Sequence, residues 1–267
     1  MQQASFIGKL YKYRPWDEYS RAIITENELW FSAPIDFNDP FDCQFPEIPA
    51  TEPEVARRYL TVQLEKDKAR AVLSGNQSHV VFCDLALNDI PKWTDERILK
   101  FWWADHELAK FDVLHNSSIC CLSETNDNLL MWSHYAEGHK GICLEFTYTL
   151  ENQFGKPECV VYREDYSVHD YNDWSSIDNE SLLVDAIYTK SVHWSYEREW
   201  RLFELRAPYG VRYFPKELLT GVIIGCKASN EVRTELIELC IDRADITLYE
   251  ASRNSNSYNL VVESLKT

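Results

Sequence analysis

Ser118-Ile119-Cys120-Cys121-Leu122-Ser123, then Asn128 to Ala136, then Gly141-Ile142-Cys143-Leu144-Glu145-Phe146 form the stretch that decides the fold. The first run is short, apolar and bounded by serines, as a buried strand is. Asn128 to Ala136 reads as a short helix ending near Gly138, and Gly141 opens a second strand. On the N-terminal side, Leu10-Tyr11-Lys12-Tyr13 alternates and stops at Pro15, Ser20 to Glu28 reads as a helix, and Leu29-Trp30-Phe31-Ser32 is a strand closed by Pro34. On the C-terminal side, Val160-Val161-Tyr162, Glu199 to Leu205, Val222-Ile223-Ile224-Gly225, Ile246 to Ala251 and Tyr258 to Val262 read as strands. Helices are expected at Ser181 to Lys190 and Asn230 to Ile241, with a polar loop over Tyr166 to Glu180.

Between these halves the period changes. Glu54 to Val72 and Asp95 to Phe111 carry apolar residues near a 3.6 spacing, while Asn76 to Pro91 is ambiguous. Strands clustered at both ends around a helical block predict an α+β fold. The expected sheet is mixed, mostly antiparallel and split, within a single domain over residues 1–267 that carries a helical insertion at 52–112. No repeat or low-complexity stretch interrupts it.

Composition narrows the function classes. No run approaches the roughly 18 apolar residues of a membrane helix, and the start Met1-Gln2-Gln3-Ala4-Ser5 lacks the basic and apolar regions of a signal peptide. The expected location is the cytoplasm, with no membrane partner. The eight cysteines show no Cys-x-x-Cys pair and no histidine at ligand spacing, which favours reduced, buried thiols over a zinc site. A net charge of −16 disfavours bulk nucleic-acid binding but permits a local basic pocket.

Three clusters carry candidate chemistry. Tyr11-Lys12-Tyr13-Arg14 reads either as an edge strand with two solvated cations or as a phosphate-binding strand end led by Arg14 or Lys12. Around Leu122-Ser123-Glu124-Thr125 and Met131-Trp132-Ser133-His134-Tyr135-Ala136, Trp132 and Tyr135 share a helix face with each other, and Tyr135 with His139. They are either core or the aromatic wall of a pocket. In His193-Trp194-Ser195-Tyr196-Glu197-Arg198-Glu199-Trp200-Arg201, the bland reading is a strand edge with self-cancelling ion pairs. The sharper one sets Glu197 and Glu199 on one face of an extended segment, raising each other's pKa.

Tyr13-Arg14, Phe37-Asn38-Asp39-Pro40-Phe41-Asp42, Trp132-x-x-Tyr135-Ala136 with Gly141, and Tyr196-Glu197-x-Glu199-Trp200-Arg201 together resemble a widespread bacterial family of unknown function, over about residues 10–205. Their order is similar to that of the ADP-ribosyltransferase superfamily, with Ser123-Glu124-Thr125 standing where that superfamily has Ser-Thr-Ser. The resemblance implies an ADP-ribosyltransferase-like fold and NAD as substrate. It implies Arg14, with Lys12, as the NAD anchor. Ser123 or Tyr135 would be the middle element, with Tyr135 or Trp132 stacking on nicotinamide. Glu199 would be the catalytic glutamate and Glu197 the carboxylate that handles the acceptor. Cleaving the N-glycosidic bond passes through an oxocarbenium-like ribose that a carboxylate stabilises. Such an enzyme would be a bacterial toxin or antiviral defence effector with a macromolecular or small-molecule acceptor, and with an antitoxin or regulatory protein as a further partner. Two rivals stand beside it. One is a metal-dependent hydrolase or nuclease built on Asp39, Asp42, Glu145, Glu197 and Glu199; the other is a non-catalytic module that binds a nucleotide or a partner.

Overall fold

The computed structural model describes residues 6–173, 179–241 and 243–265. In chain order the elements are β1 (Gly8–Arg14), α1 (Glu18–Thr25), β2 (Glu28–Phe31), β3 (Glu47–Ile48), α2 (Pro53–Leu73), α3 (Gln77–Asp89), α4 (Asp95–Asn116), β4 (Ser118–Ser123), α5 (Leu129–Tyr135) and β5 (Ile142–Tyr148). They continue with β6 (Pro157–Cys159), β7 (Val161–Arg163), β8 (His169–Asp170), α6 (Asn179–Tyr188), β9 (Thr189–Ser191), a 3-10 turn (Val192–Glu197), β10 (Glu199–Glu204), β11 (Gly210–Tyr213), β12 (Leu219–Ile224), α7 (Asn230–Ile241), β13 (Thr247–Arg253) and β14 (Leu260–Ser264). Two compact units result: residues 1–42, 115–164 and 188–267 form one, and residues 43–114 and 165–187 the other.

The first unit holds an eight-stranded sheet in the order β14-β13-β12-β5-β1-β4-β10-β6. Among these neighbours only β12 and β13 run parallel, so the α+β, mixed and mostly antiparallel reading holds. The three motif strands β1, β4 and β10 are adjacent. Their joins are unequal: β1 pairs with β5 over seven residues, but with β4 only at Tyr11↔Ser123. The sheet is therefore split between β1 and β4. β10 pairs with β4 from Glu199↔Ser123 to Glu204↔Ser118.

Alternation decides which side chains enter the core. On one face, Leu10, Cys120, Leu122, Leu144, Phe146, Leu202 and Val222 pack with Leu29 and Phe31 of β2. On the other, Tyr11, Tyr13, Cys143 and Ile223 pack under Met131 and Trp132 of α5. Gly141 admits no side chain, because a Cβ there would lie 2.2 Å from the Arg14 carbonyl oxygen. That close approach holds the end of β1 against the start of β5.

The second unit contains α2 and α3, which pack on each other, together with most of α4. The ambiguous 76–91 segment is helical over most of its length as α3. Its apolar cluster centres on Tyr59, Ile98, Trp102 and Tyr171. The polar loop expected from Tyr166 contains β8, which pairs with β3, and its residues 174–178 lie outside the described residues. No helix among the described residues is long and apolar enough to cross a membrane.

Candidate active site

A cavity of about 370 Å³ opens where β1 and β4 part, within the range of small-molecule sites. Its walls include Lys12, Arg14, Ser123, Tyr135, Glu197 and Glu199. Six of the seven residues singled out from the sequence thus face one space, although they come from distant parts of the chain.

Trp132 is the exception and requires a correction. It is fully buried, its indole N–H donates to the Asn126 carbonyl at 2.8 Å, and its ring meets Tyr13 edge-on at 5.3 Å. It anchors α5 to the sheet rather than offering a stacking face to a ligand. Tyr135, one turn on, does reach the cavity, where its hydroxyl donates to Glu197 Oε1 at 2.6 Å. Burial, and then the Glu197 hydrogen bond, push its pKa up, so it stays a donor.

The two glutamates are not on one extended strand as the sequence suggested. Glu197 ends the 3-10 turn and Glu199 starts β10, with Arg198 between them in the left-handed region at φ 44°. Both carboxylates nevertheless meet at Lys190, whose Nζ lies 2.6 Å from Glu197 Oε2 and 3.0 Å from Glu199 Oε2. Asp42 approaches the same ammonium at 3.5 Å. Arg201, fully buried, donates through Nε to Glu199 Oε1 at 2.7 Å and through Nη2 to Asp42 at 2.6 Å and Glu199 Oε2 at 3.2 Å. Of the carboxylates in the metal-site alternative, Asp42, Glu197 and Glu199 therefore converge, and they do so on an ammonium and a guanidinium. Glu145 instead takes bonds from Lys9, Tyr11 and Thr220. The Asp39 carboxylate accepts from the Phe41 amide.

This arrangement drives the two carboxyl pKa values apart. Burial alone would raise Glu199, but the Arg201 guanidinium and then Lys190 outweigh it and hold it at about 2. Glu197 lies above its ordinary value, because burial and the charge of Glu199 prevail over Lys190 and the Tyr135 hydrogen bond. Hydrogen bonding separates them too. A carboxylate offers about four lone-pair positions. Glu199 accepts two bonds from Arg201 and one from Lys190. Glu197 accepts one from Tyr135 and one from Lys190, so its oxygens have room for a ligand.

At the β1 side, Lys12 Nζ donates to the Cys121 carbonyl at 2.9 Å. Arg14 makes a long 4.0 Å contact with Asp17, and its buried Nε has no acceptor. Ser123 is structural as well as cavity-lining: its hydroxyl donates to the Glu197 carbonyl at 2.6 Å and fixes the turn that aims the glutamate.

Sequence reasoning gave no role to Lys190, Arg201 or Asn128. Asn128 caps α5 through its side-chain oxygen and donates to the Tyr196 carbonyl at 3.0 Å, tying that helix to the 3-10 turn. Lys190 was expected as the end of a helix, but α6 stops at Tyr188 and Lys190 lies on β9 beside β7. The alternation Glu199-x-Arg201 was the available signal for Arg201, since both side chains point to one face.

Residues 131–202 match the family described as a protein of unknown function (DUF2971). The matched segment runs from α5 through most of β10 and contains Tyr135, Lys190, Glu197, Glu199 and Arg201, so the resemblance to a family of unknown function stands over that part of the chain. No curated protein and no solved structure matches the chain significantly.

Proposed function

We propose that the chain is an NAD-dependent ADP-ribosyltransferase-like enzyme. The observation that carries this reading is the polarity of the cavity. Two cations from β1 line it, one of them with an unpartnered buried N–H, and the carboxylates Glu197 and Glu199 line it beside Tyr135. A ligand with anionic phosphates and a ribose that becomes cationic matches that polarity. Guanidinium and ammonium groups suit a pyrophosphate, and carboxylates gain strength as the ribosyl cation forms.

The bond between ribose C1′ and the nicotinamide nitrogen breaks with its electron pair leaving on nicotinamide, which departs neutral. The acceptor's lone pair then bonds C1′, and its proton passes to a carboxylate. Glu197 suits both contacts: it has open lone pairs, and its raised pKa brings it nearer to proton exchange. Glu199 acts behind it, ionised and locked by Arg201, as a positioning residue. This gathers on Glu197 the two roles that the resemblance divides between Glu199 and Glu197.

The test is incubation with NAD labelled in its ADP-ribose moiety, with and without cell lysate, measuring nicotinamide release and label in protein, nucleic acid and small-molecule fractions. Release that survives EDTA and is lost in Glu197→Gln is expected. Absence of both NAD binding and nicotinamide release overturns the reading, and activity that EDTA abolishes favours the metal-dependent alternative.

A further inference from the structure

β2 alternates cleanly. Leu29 and Phe31 enter the core, whereas Trp30 and Ser32 line the cavity. Trp30 remains 51% exposed, an unusual state for an indole on a cavity wall, with Tyr209 beside it at 6.1 Å and tilted by 50°. Its place along the cleft is set by β4. Ser32 bridges to Ile119, Lys12 holds the Cys121 carbonyl, and Ser123 holds the Glu197 turn and pairs with Glu199. Three kinds of wall therefore follow one another along a single strand: an exposed ring, a cation and carboxylates. From Ile119 to Ser123 is about 13 Å at strand rise. Arg14 lies on the ring side of Lys12, because β1 runs antiparallel to β4 from the Tyr11↔Ser123 pair.

We infer that Trp30 is the stacking platform for the purine of the bound nucleotide, placing a nucleoside diphosphate across Lys12 and Arg14 with its distal ribose at Glu197. The inference rests on the NAD reading and adds what that reading lacks, a grip on the end of the ligand far from the chemistry. A half-exposed indole offers a π-face at little further desolvation, and base–aromatic stacking is sequence-tolerant but ring-dependent. Trp30 makes no hydrogen bond that a substitution would break among those described, and its neighbours in β2 carry the core contacts, so its variants should fold.

Calorimetric titration of the full chain and of Trp30→Ala, Trp30→Leu and Trp30→Phe with NAD, ADP-ribose and nicotinamide mononucleotide tests this. Trp30→Ala and Trp30→Leu should weaken NAD and ADP-ribose on the order of tenfold or more, Trp30→Phe should recover most of that affinity, and the thermal midpoint should stay put. Nicotinamide mononucleotide, which has no purine, should bind all four proteins alike. NAD affinity unchanged in Trp30→Ala, or restored as well by Leu as by Phe, overturns the stacking role while leaving the NAD reading intact. Failure of the unsubstituted chain to bind either NAD or ADP-ribose overturns both.

Discussion

The Tyr135 hydroxyl donates to Glu197 Oε1 across 2.6 Å, joining the helix after β4 to the turn before β10. The bond fills one lone pair of a carboxylate whose other oxygen meets Lys190. Tyr135→Phe deletes the donor and keeps the ring. A hydrogen bond to a charged group contributes about 1.5–3 kcal/mol, so urea unfolding should show a loss of that order. Nicotinamide release should fall with it, because the freed carboxylate is more readily protonated.

The glutamates should part company on substitution. Glu197→Gln is expected to cost about 10²–10³ in turnover with NAD affinity changed far less, since Arg14 and the rings hold the ligand. Glu199→Gln removes one of the two carboxylates that the buried Arg201 meets, with Asp42 remaining, and should act first on stability, by less than the ~3–5 kcal/mol of a buried pair broken outright. Turnover lost in Glu199→Gln at an unchanged unfolding midpoint would return the cation-stabilising role to Glu199.

Opposite pKa shifts give opposite pH dependences. Glu199 is held at about 2 against an ordinary 4.5. Its contribution, on the order of 3 kcal/mol, is present above pH 4.5 and is lost as pH falls toward 2. Glu197 is raised, so the folded state binds its proton more tightly, and stability falls as pH climbs above 4.5 toward the folded-state value. Denaturant titrations across pH should show Glu199→Gln flattening the acid limb and Glu197→Gln flattening the decline above it. A single limb that both substitutions affect equally would contradict the separation.

Arg14→Met should be nearly silent in stability, because its 4.0 Å contact with Asp17 is long and its buried Nε has no acceptor to lose. NAD affinity should drop about ten- to hundredfold, the range for a lost charge-assisted hydrogen bond. Calorimetry beside thermal melting separates the two effects.

Gly141→Ala asks whether the end of β1 must sit where it does. The added Cβ would meet the Arg14 carbonyl at 2.2 Å and the Pro15 Cα at 2.9 Å, both backbone atoms with little freedom to yield. A loss of about 1–3 kcal/mol is expected from the forced shift, with weaker NAD binding as Arg14 moves. An unchanged melting curve would mean that the strand end adjusts freely.

Much of this architecture was legible in the sequence because β1 and β10 read as alternating, while β4, β5 and β12 are short, nearly continuous apolar runs, as strands buried on both faces are. Ser123 marks the end of one such run, and Tyr135, Glu197 and Glu199 stood out as members of short clusters that mix rings with polar groups. Trp132 was misjudged because a tryptophan one turn from a cavity tyrosine has the same local pattern whether its ring turns inward or outward; only the Asn126 carbonyl and the edge of Tyr13 decide. Lys190 was illegible for a different reason. Its partners Asp42, Glu197 and Glu199 are brought to it by tertiary packing, and its own neighbours carry a helical pattern that ends two residues early. Arg198 shows the same limit, since nothing local forecasts a left-handed arginine between two glutamates.

The lone Tyr11↔Ser123 pair between β1 and β4 has a further consequence for Lys12. In an unbroken ladder the Cys121 carbonyl would take a main-chain N–H from a neighbouring strand; here the Lys12 ammonium stoppers it instead. An incoming anion can be met by the ammonium hydrogens that the peptide oxygen does not use, whereas a Lys12 drawn fully away would strand the oxygen unless water or the ligand replaced it. The fault in the sheet thus tethers the ammonium at the cleft with donors to spare, favouring a guest whose phosphate comes to Lys12 where it already stands.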